Sequence, residues 1–335
     1  MPEYKGVLIC GELFDGSLAS ITLELLGIGR KLADDLGQDL SIVFIGSEIG
    51  DVAKQVIPYG ADKVYLIDNP LFKDYQTDSH TRALHSLCKQ VMPEIVLLGH
   101  TSVGRDLAPS LAYTLDTGVT LDCISLCIDQ DTKLMRQIKP VYGGKALATY
   151  VCEKTRPQIA TVRARLMPAP ERGDTGKGKV ILFESGLDAS MLRVRVLGKI
   201  REEVVGIKLE DARVVVCGGR GIGSTEGFSL LKELAKILGG AVGATRPACD
   251  AGWVSTYCQI GLTGKIIAPD VYIGIALSGA SQHQTGMSAS KNIIAINKDP
   301  EAEIFKIAHY GVVGDYKKVL PPFVEKCKEF ISSEP

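Results

Sequence analysis

The chain has 335 residues, 45% of them apolar and 23% charged, and its 38 Lys and Arg nearly cancel its 39 Asp and Glu. That length exceeds one ordinary core and predicts two globular domains. So even a charge balance offers no basic field for a phosphate backbone or an anionic bilayer, which argues against nucleic-acid and membrane partners.

No run reaches the roughly 20 apolar residues that a membrane span needs. The opening "MPEYKGVLICGEL" has too short an apolar run, interrupted by acidic residues, for a secretory leader. Nine cysteines include no CxxC pair and read as reduced, mostly buried small hydrophobes of a cytoplasmic protein. The same spacing rules out a dense cluster-binding segment, and the five scattered histidines make no metal site.

In chain order, "GVLICG", "LSIVFIG", "KVYLID" and "EIVLLGH" are short aliphatic runs of the kind buried parallel strands require. Helical patterns lie between them. Leu18, Ile21, Leu25, Ile28, Leu32 and Leu36 step by three and four before Gly37, a C-terminal stop. This alternation predicts a three-layer α/β domain. From Gly118 to Met167 the runs "VTLDCISLCID", "ALATYVCE" and "QIATVRARL" follow one another with no helix between, which predicts an antiparallel extension of that domain.

"PAPERGDTGKGK" (168–179) reads as a charged loop and "GKIREEVVGIKLEDA" (198–212) as the linker, giving domains 1–200 and 201–335. The second domain opens on "ARVVVCGGRGIGSTEGFSLLKELAKILGG", a strand, a glycine-rich turn and a helix with Leu231, Leu234, Ala235 and Leu238 on one side. "VYIGIAL", "IIAIN" and "YGVVGD" are its further strands, so it is flavodoxin-like or Rossmann-like in outline.

Four loops of this second domain follow probable strand ends. "GGRGIGSTEG" (218–227) joins strand to helix, where free backbone N–H groups favour an anion. Its spacing misses the GxGxxG fingerprint, and no acidic residue stands about 20 residues on, where an NAD(P)-dependent dehydrogenase would hold its ribose. "GATRPACDAGW" (243–253) places Arg246 among small residues, and "QIGLTGK" (259–265) is a Gly-framed loop carrying Thr263. "SGASQHQTG" (278–286) is polar throughout; as a hydrolase elbow it fails, because His283 stands where the closing glycine belongs. Together the four loops predict a ring of donors around one large ligand, at the crevice outside the strand ends.

The run "QIGLTGKIIAPDVYIGIALSGASQHQTGMSASKNIIAINKDPEAEIFKIAHYGVVGDYKKVLP", with "GGRGIGS" and "GATRPACDAGW" upstream, resembles the alpha subunit of electron-transfer flavoprotein. The likeness is dense over the second half and rests on domain order in the first. It implies an FAD held by the C-terminal domain, a beta subunit completing a heterodimer, no cofactor in the N-terminal domain, and acyl-CoA dehydrogenase-type flavoenzymes as electron partners. The family includes simple carriers and electron-bifurcating complexes.

Residue by residue, the resemblance implies Arg220 at the pyrophosphate, Thr245 where the family has Ser, and Arg246 against the isoalloxazine ring. Gln259 opens the next motif, and Ile260, Gly261, Leu262 and Thr263 would line the flavin, Thr263 near N5. Ser278, Gly279, Ala280, Ser281, Gln282 and His283 would wrap the cofactor, His283 near the pyrimidine carbonyl. Asn297, Asp315 and Tyr316 would serve the adenosine end. Leu262 replaces a usual Gln and Ser281 a usual branched aliphatic. Neither change removes a cation or His283.

Overall fold

The computed structural model describes residues 3–14, 16–144, 146–173, 178–198 and 207–333. The chain divides into two compact units, Met1–Val141 with Ala146–Ile200, and Tyr142–Lys145 with Arg201–Pro335. Residues 174–177 of the expected charged loop and 199–206 of the expected linker lie outside the described residues.

In the first unit, strands β1 (Val7–Cys10), β2 (Leu40–Gly46), β3 (Lys63–Asp68), β4 (Ile95–Gly99) and β5 (Val119–Cys123) are followed by β6 (Ser125–Ile128), β7 (Met135–Val141), β8 (Ala146–Tyr150), β9 (Gln158–Val162) and β10 (Lys179–Leu182). Seven of them form one parallel sheet in the order β10-β3-β2-β1-β4-β9-β5. Helix α1 (Ser20–Leu36) covers one face, and α2 (Thr77–Val91) and α3 (Ser102–Thr114) cover the other. Within β1, Val7 and Ile9 join the first core while Leu8 and Cys10 join the second, so a four-residue run with no polar position feeds both layers. Helix α1 ends as expected at Gly37, whose φ of 64° only a glycine adopts without strain and whose N–H donates to the Asp34 carbonyl at 3.0 Å.

The antiparallel extension is only partly as expected. β6, β7 and β8 do form a separate antiparallel sheet, in the order β8-β7-β6. "QIATVRARL", however, enters the main sheet as β9, parallel to both β4 and β5, because its five strand residues are buried on both faces. "VTLDCISLCID" is two strands in two sheets: Asp122, at a positive φ of 67°, turns the chain out of β5.

The second unit contains β11 (Val214–Gly218), β12 (Ala241–Ala244), β13 (Val271–Ile275), β14 (Asn292–Asn297) and β15 (Tyr310–Val313), with α4 (Thr225–Ile237), α5 (Arg246–Asp250), α6 (Ser281–Met287) and α7 (Tyr316–Ser333). All pairings are parallel in the order β12-β11-β13-β14-β15. By position along the unit that order is 2-1-3-4-5, the flavodoxin-like winding, with its switch point between the first and third strands. Phe228, Leu231, Leu234 and Ala235 bury the inner face of α4 against this sheet. Among the described residues no helix is long and apolar enough to cross a membrane.

Candidate functional site at the switch point of the second unit

A cavity of about 760 Å³ opens at the carboxyl ends of β11, β12, β13 and β14. Its volume lies inside the roughly 300–1,000 Å³ range of small-molecule sites. Of the residues expected at the cofactor, all but Ser281, Asp315 and Tyr316 line it.

Backbone geometry shapes the floor. Ala276, just past β13, has a positive φ of 51°, a strained value for a residue with a side chain, and it turns the chain sharply over the sheet edge. Its carbonyl accepts from Gly221 N–H at 3.1 Å, tying the β11 turn to the β13 turn. A Cβ on Gly219 would fall 2.4 Å from that same carbonyl oxygen. The glycines of "GGRGIG" therefore serve close packing of two loops as well as access to a ligand. Gly279, at φ 78°, lies where a Cβ would meet Ile304 N at 2.4 Å, which keeps the "SGA" segment flat against the loop after β14.

The cations sit on opposite loops. Arg220 stands in the turn after β11, exposed and without an ion pair among the described residues. Arg246 is the first residue of α5, 65% exposed, and its Nε lies 3.3 Å from Asp250 Oδ2 one turn on. Asp250 thus shares its charge. Thr245 caps α5 by position with no side-chain bond.

The loop 259–265 is closed on itself by Lys265 N–H donating to Gln259 O at 2.8 Å, and the Gln259 amide donates to Thr263 Oγ1 at 3.0 Å. Leu262, 53% exposed, donates its N–H to the Gln282 carbonyl at 2.8 Å.

Several of the expected residues already hold partners inside the protein. His283 borders the cavity, but its ring is committed inside the protein: Nδ1 is 3.0 Å from the Ile260 carbonyl oxygen and Nε2 is 2.7 Å from the Tyr272 hydroxyl. Burial pushes its pKa down to about 4, so the ring is neutral near pH 7 and has no N–H left for a ligand carbonyl. Asn297 is 9% exposed and braces the floor, donating to Leu277 O at 2.7 Å and accepting from Asp299 N at 3.0 Å.

Asp315 accepts from Lys317 N at 3.0 Å at the start of α7, and Tyr316 donates its hydroxyl to Ile222 O at 2.7 Å. These two line a smaller recess of about 190 Å³ that shares Gly221, Ala276 and Asn297 with the main cavity. Ser281 is exposed at the start of α6, its hydroxyl donating to Gln282 Oε1 at 3.3 Å. Sequence reasoning missed Pro247, Ala276, Leu277, Asp299 and Ala302 in the lining; the same after-strand rule, applied to "NKDP" behind β14, points to Asp299.

In the first unit, a cavity of about 410 Å³ lies at the ends of β1, β2 and β4, and the charged side chains in its lining are Glu12, Glu48 and Lys73. Two carboxylates against one lysine do not suit a pyrophosphate. No cluster of three metal-binding side chains occurs among the described residues, and the nine cysteines are all free thiols. The cavity in the second unit has instead what a large, flat, anionic ligand needs: two arginines, amide and hydroxyl donors, and open loop backbone above an apolar floor.

Comparison with known proteins gives the same picture. Residues 7–186 match the electron transfer flavoprotein domain, and residues 208–288 match the electron transfer flavoprotein FAD-binding domain. The electron transfer flavoprotein subunit alpha of Thermoanaerobacterium thermosaccharolyticum is 45% identical over 98% of this chain and 99% of its own length. That of Megasphaera elsdenii is 41% identical over 98% of each chain, and Protein FixB of Clostridium saccharobutylicum 42% over 99% of each. Nothing in these matches favours an NAD(P)-dependent dehydrogenase. The chain belongs to the electron transfer flavoprotein family as an alpha subunit, a carrier of electrons whose cofactor is FAD.

Proposed function

We propose that FAD lies in the switch-point cavity of the second unit, its pyrophosphate at Arg220 and the turn after β11, and its isoalloxazine ring between Arg246 and the loop 259–263. When bound, the flavin supplies reversible electron uptake. The protein's own groups do the rest. Arg220 neutralises phosphate charge, and Arg246, permanently cationic, offers a positive field to a ring that gains negative charge on reduction. Thr263 and Gln259 present polar groups at the ring edge. Ile260 and Leu277, both nearly fully buried, exclude water beneath it. The adenosine end extends toward the recess beside Asp315, with Asn297 holding the floor between.

The reading extends to partners: a beta subunit completing a heterodimer, and acyl-CoA dehydrogenase-type flavoenzymes exchanging electrons with it in the cytoplasm as part of fatty acid oxidation. The observation that carries the site assignment is the convergence of loops 218–227, 243–253, 259–265 and 278–286 on one cavity at the switch point.

The test is FAD affinity of an Arg220→Ala variant, measured by flavin fluorescence on the assembled protein. A charge-assisted contact of about 1.5–3 kcal/mol predicts a loss of roughly ten- to a hundredfold. Unchanged affinity would place the phosphates elsewhere.

A further inference from the structure

Tyr272 lies in the second position of β13 and is fully buried, the largest such side chain among the described residues. Phenylalanine would fill the same space, and a buried hydroxyl destabilises unless it finds a partner. Its partner is His283 Nε2, 2.7 Å away. The other ring nitrogen, Nδ1, faces the Ile260 carbonyl oxygen at 3.0 Å.

A carbonyl oxygen only accepts, so Nδ1 carries the proton. The neutral ring then offers Nε2 as an acceptor, and the phenol must donate. The bonds run in one direction, from the Tyr272 hydroxyl through the imidazole to the Ile260 carbonyl.

Ile260 begins the loop that carries Thr263, and it has no slack elsewhere. Its N–H is held by the Ala244 carbonyl at 2.9 Å, and the following Gly261 N–H by the Lys265 carbonyl at 3.1 Å. A Cβ on Gly286 would fall 2.4 Å from Gly261 N, so α6 and this loop touch backbone to backbone. The His283 ring adds a further tether to this loop, on the one backbone group of Ile260 that these bonds leave, its carbonyl.

We propose that Tyr272 is a positioning residue for the flavin site: by donating to Nε2 it holds the His283 ring in the orientation in which Nδ1–H meets the Ile260 carbonyl, and that bond steadies the loop 259–263 as it presents Gln259 and Thr263 to FAD. The inference rests on FAD occupying this cavity.

The test uses the assembled, FAD-loaded protein labelled with ¹⁵N at histidine. Wild type should show His283, assigned by the signal that His283→Ala removes, protonated at Nδ1 only; His80, also buried with Nδ1 at the Gln76 carbonyl, is the internal control. In Tyr272→Phe His283 should become a mixture of tautomers, and the Kd for FAD should rise about five- to tenfold. In a His283→Ala background the same substitution should change the Kd by less than about twofold, because the path runs through the ring.

A proton on Nε2 in wild type overturns the proposal whether or not the variant folds. Wild-type Kd and tautomer pattern in Tyr272→Phe overturn it as well. An equal loss of affinity with and without His283 also does so, since it marks a packing effect. Misplacement of FAD has another signature: Arg220→Ala then keeps full FAD affinity while the His283 pattern is intact.

Discussion

Arg246 illustrates how far a single charge reaches. At an effective dielectric near 20, a unit charge about 4 Å from a developing anion is worth roughly 4 kcal/mol before screening. The side chain is 65% exposed and shares its charge with Asp250, so only a fraction of that survives. Arg246→Ala is expected to lower the potential of the bound flavin by several tens of millivolts, about 59 mV corresponding to 1.4 kcal/mol for one electron. Arg246→Lys keeps the charge, loses the planar face, and should fall between. Asp250→Asn, which frees the guanidinium, should shift the potential upward. Spectroelectrochemical titration reads all three; an alanine variant with the wild-type potential would show that Arg246 does not face the ring.

Glu12 is a second residue whose environment sets a measurable property. It follows β1, its Oε1 accepts from Thr101 Oγ1 at 2.8 Å, and burial raises its pKa to about 7. The unfolded chain releases this proton near pH 4.5, the ordinary value for the group. The folded protein therefore binds the proton more tightly, and the associated stability is fully present below pH 4.5 and lost as pH rises through about 7. The loss across that window is about 2–3 kcal/mol. Glu12→Gln, which keeps the acceptor for Thr101, should flatten this part of the stability profile. Urea unfolding of the first unit at a series of pH values checks it, and an unchanged slope in the variant would remove Glu12 as its source.

At the scale of elements, strands and helices announced themselves where burial is two-sided or periodicity is long. The runs around Val7–Cys10, Leu40–Gly46 and Val271–Ile275 are apolar at nearly every position because both faces are covered, and α1 carries its own stripe and stop. The pairing partners of β5 to β9 were not legible, since an apolar run of five residues states that it is buried and not which neighbour it pairs with. Three of the cavity loops were legible because each follows a strand end in a parallel sheet, where backbone groups lack partners and polar side chains collect; the fourth, 259–265, follows instead the short turn Thr256–Cys258, against the expectation of a strand end there. The role of His283 was not. Its sequence neighbours are all polar, whereas its bonding partners, Tyr272 and Ile260, lie 11 and 23 residues away and meet it only through the fold. Ala276 was hidden for the same reason: an alanine at positive φ looks like any alanine until the turn it makes is seen.

At the scale of the molecule, the surface carries an apolar face that a free chain would struggle to keep in solution. The antiparallel sheet of the first unit ends in β8, whose Leu147 is 63% exposed and Tyr150 46%, with Val151 following at 46%. An exposed edge strand with apolar side chains pairs readily with other chains unless something covers it. Proteins closely similar over their whole length are named as alpha subunits, so a second subunit is the natural cover. The expected outcome is that the chain expressed alone is aggregation-prone and holds FAD below one equivalent, while co-expression with a beta subunit gives a heterodimer with stoichiometric flavin. Leu147→Lys should improve the solubility of the lone chain and weaken the heterodimer, because a charge that helps an exposed face is costly on a covered one. Size-exclusion chromatography with the ratio of flavin to protein absorbance measures both effects. A lone chain that runs as a clean monomer with one FAD, and a Leu147→Lys variant that assembles as well as wild type, would together mean that this face is not where the second subunit sits.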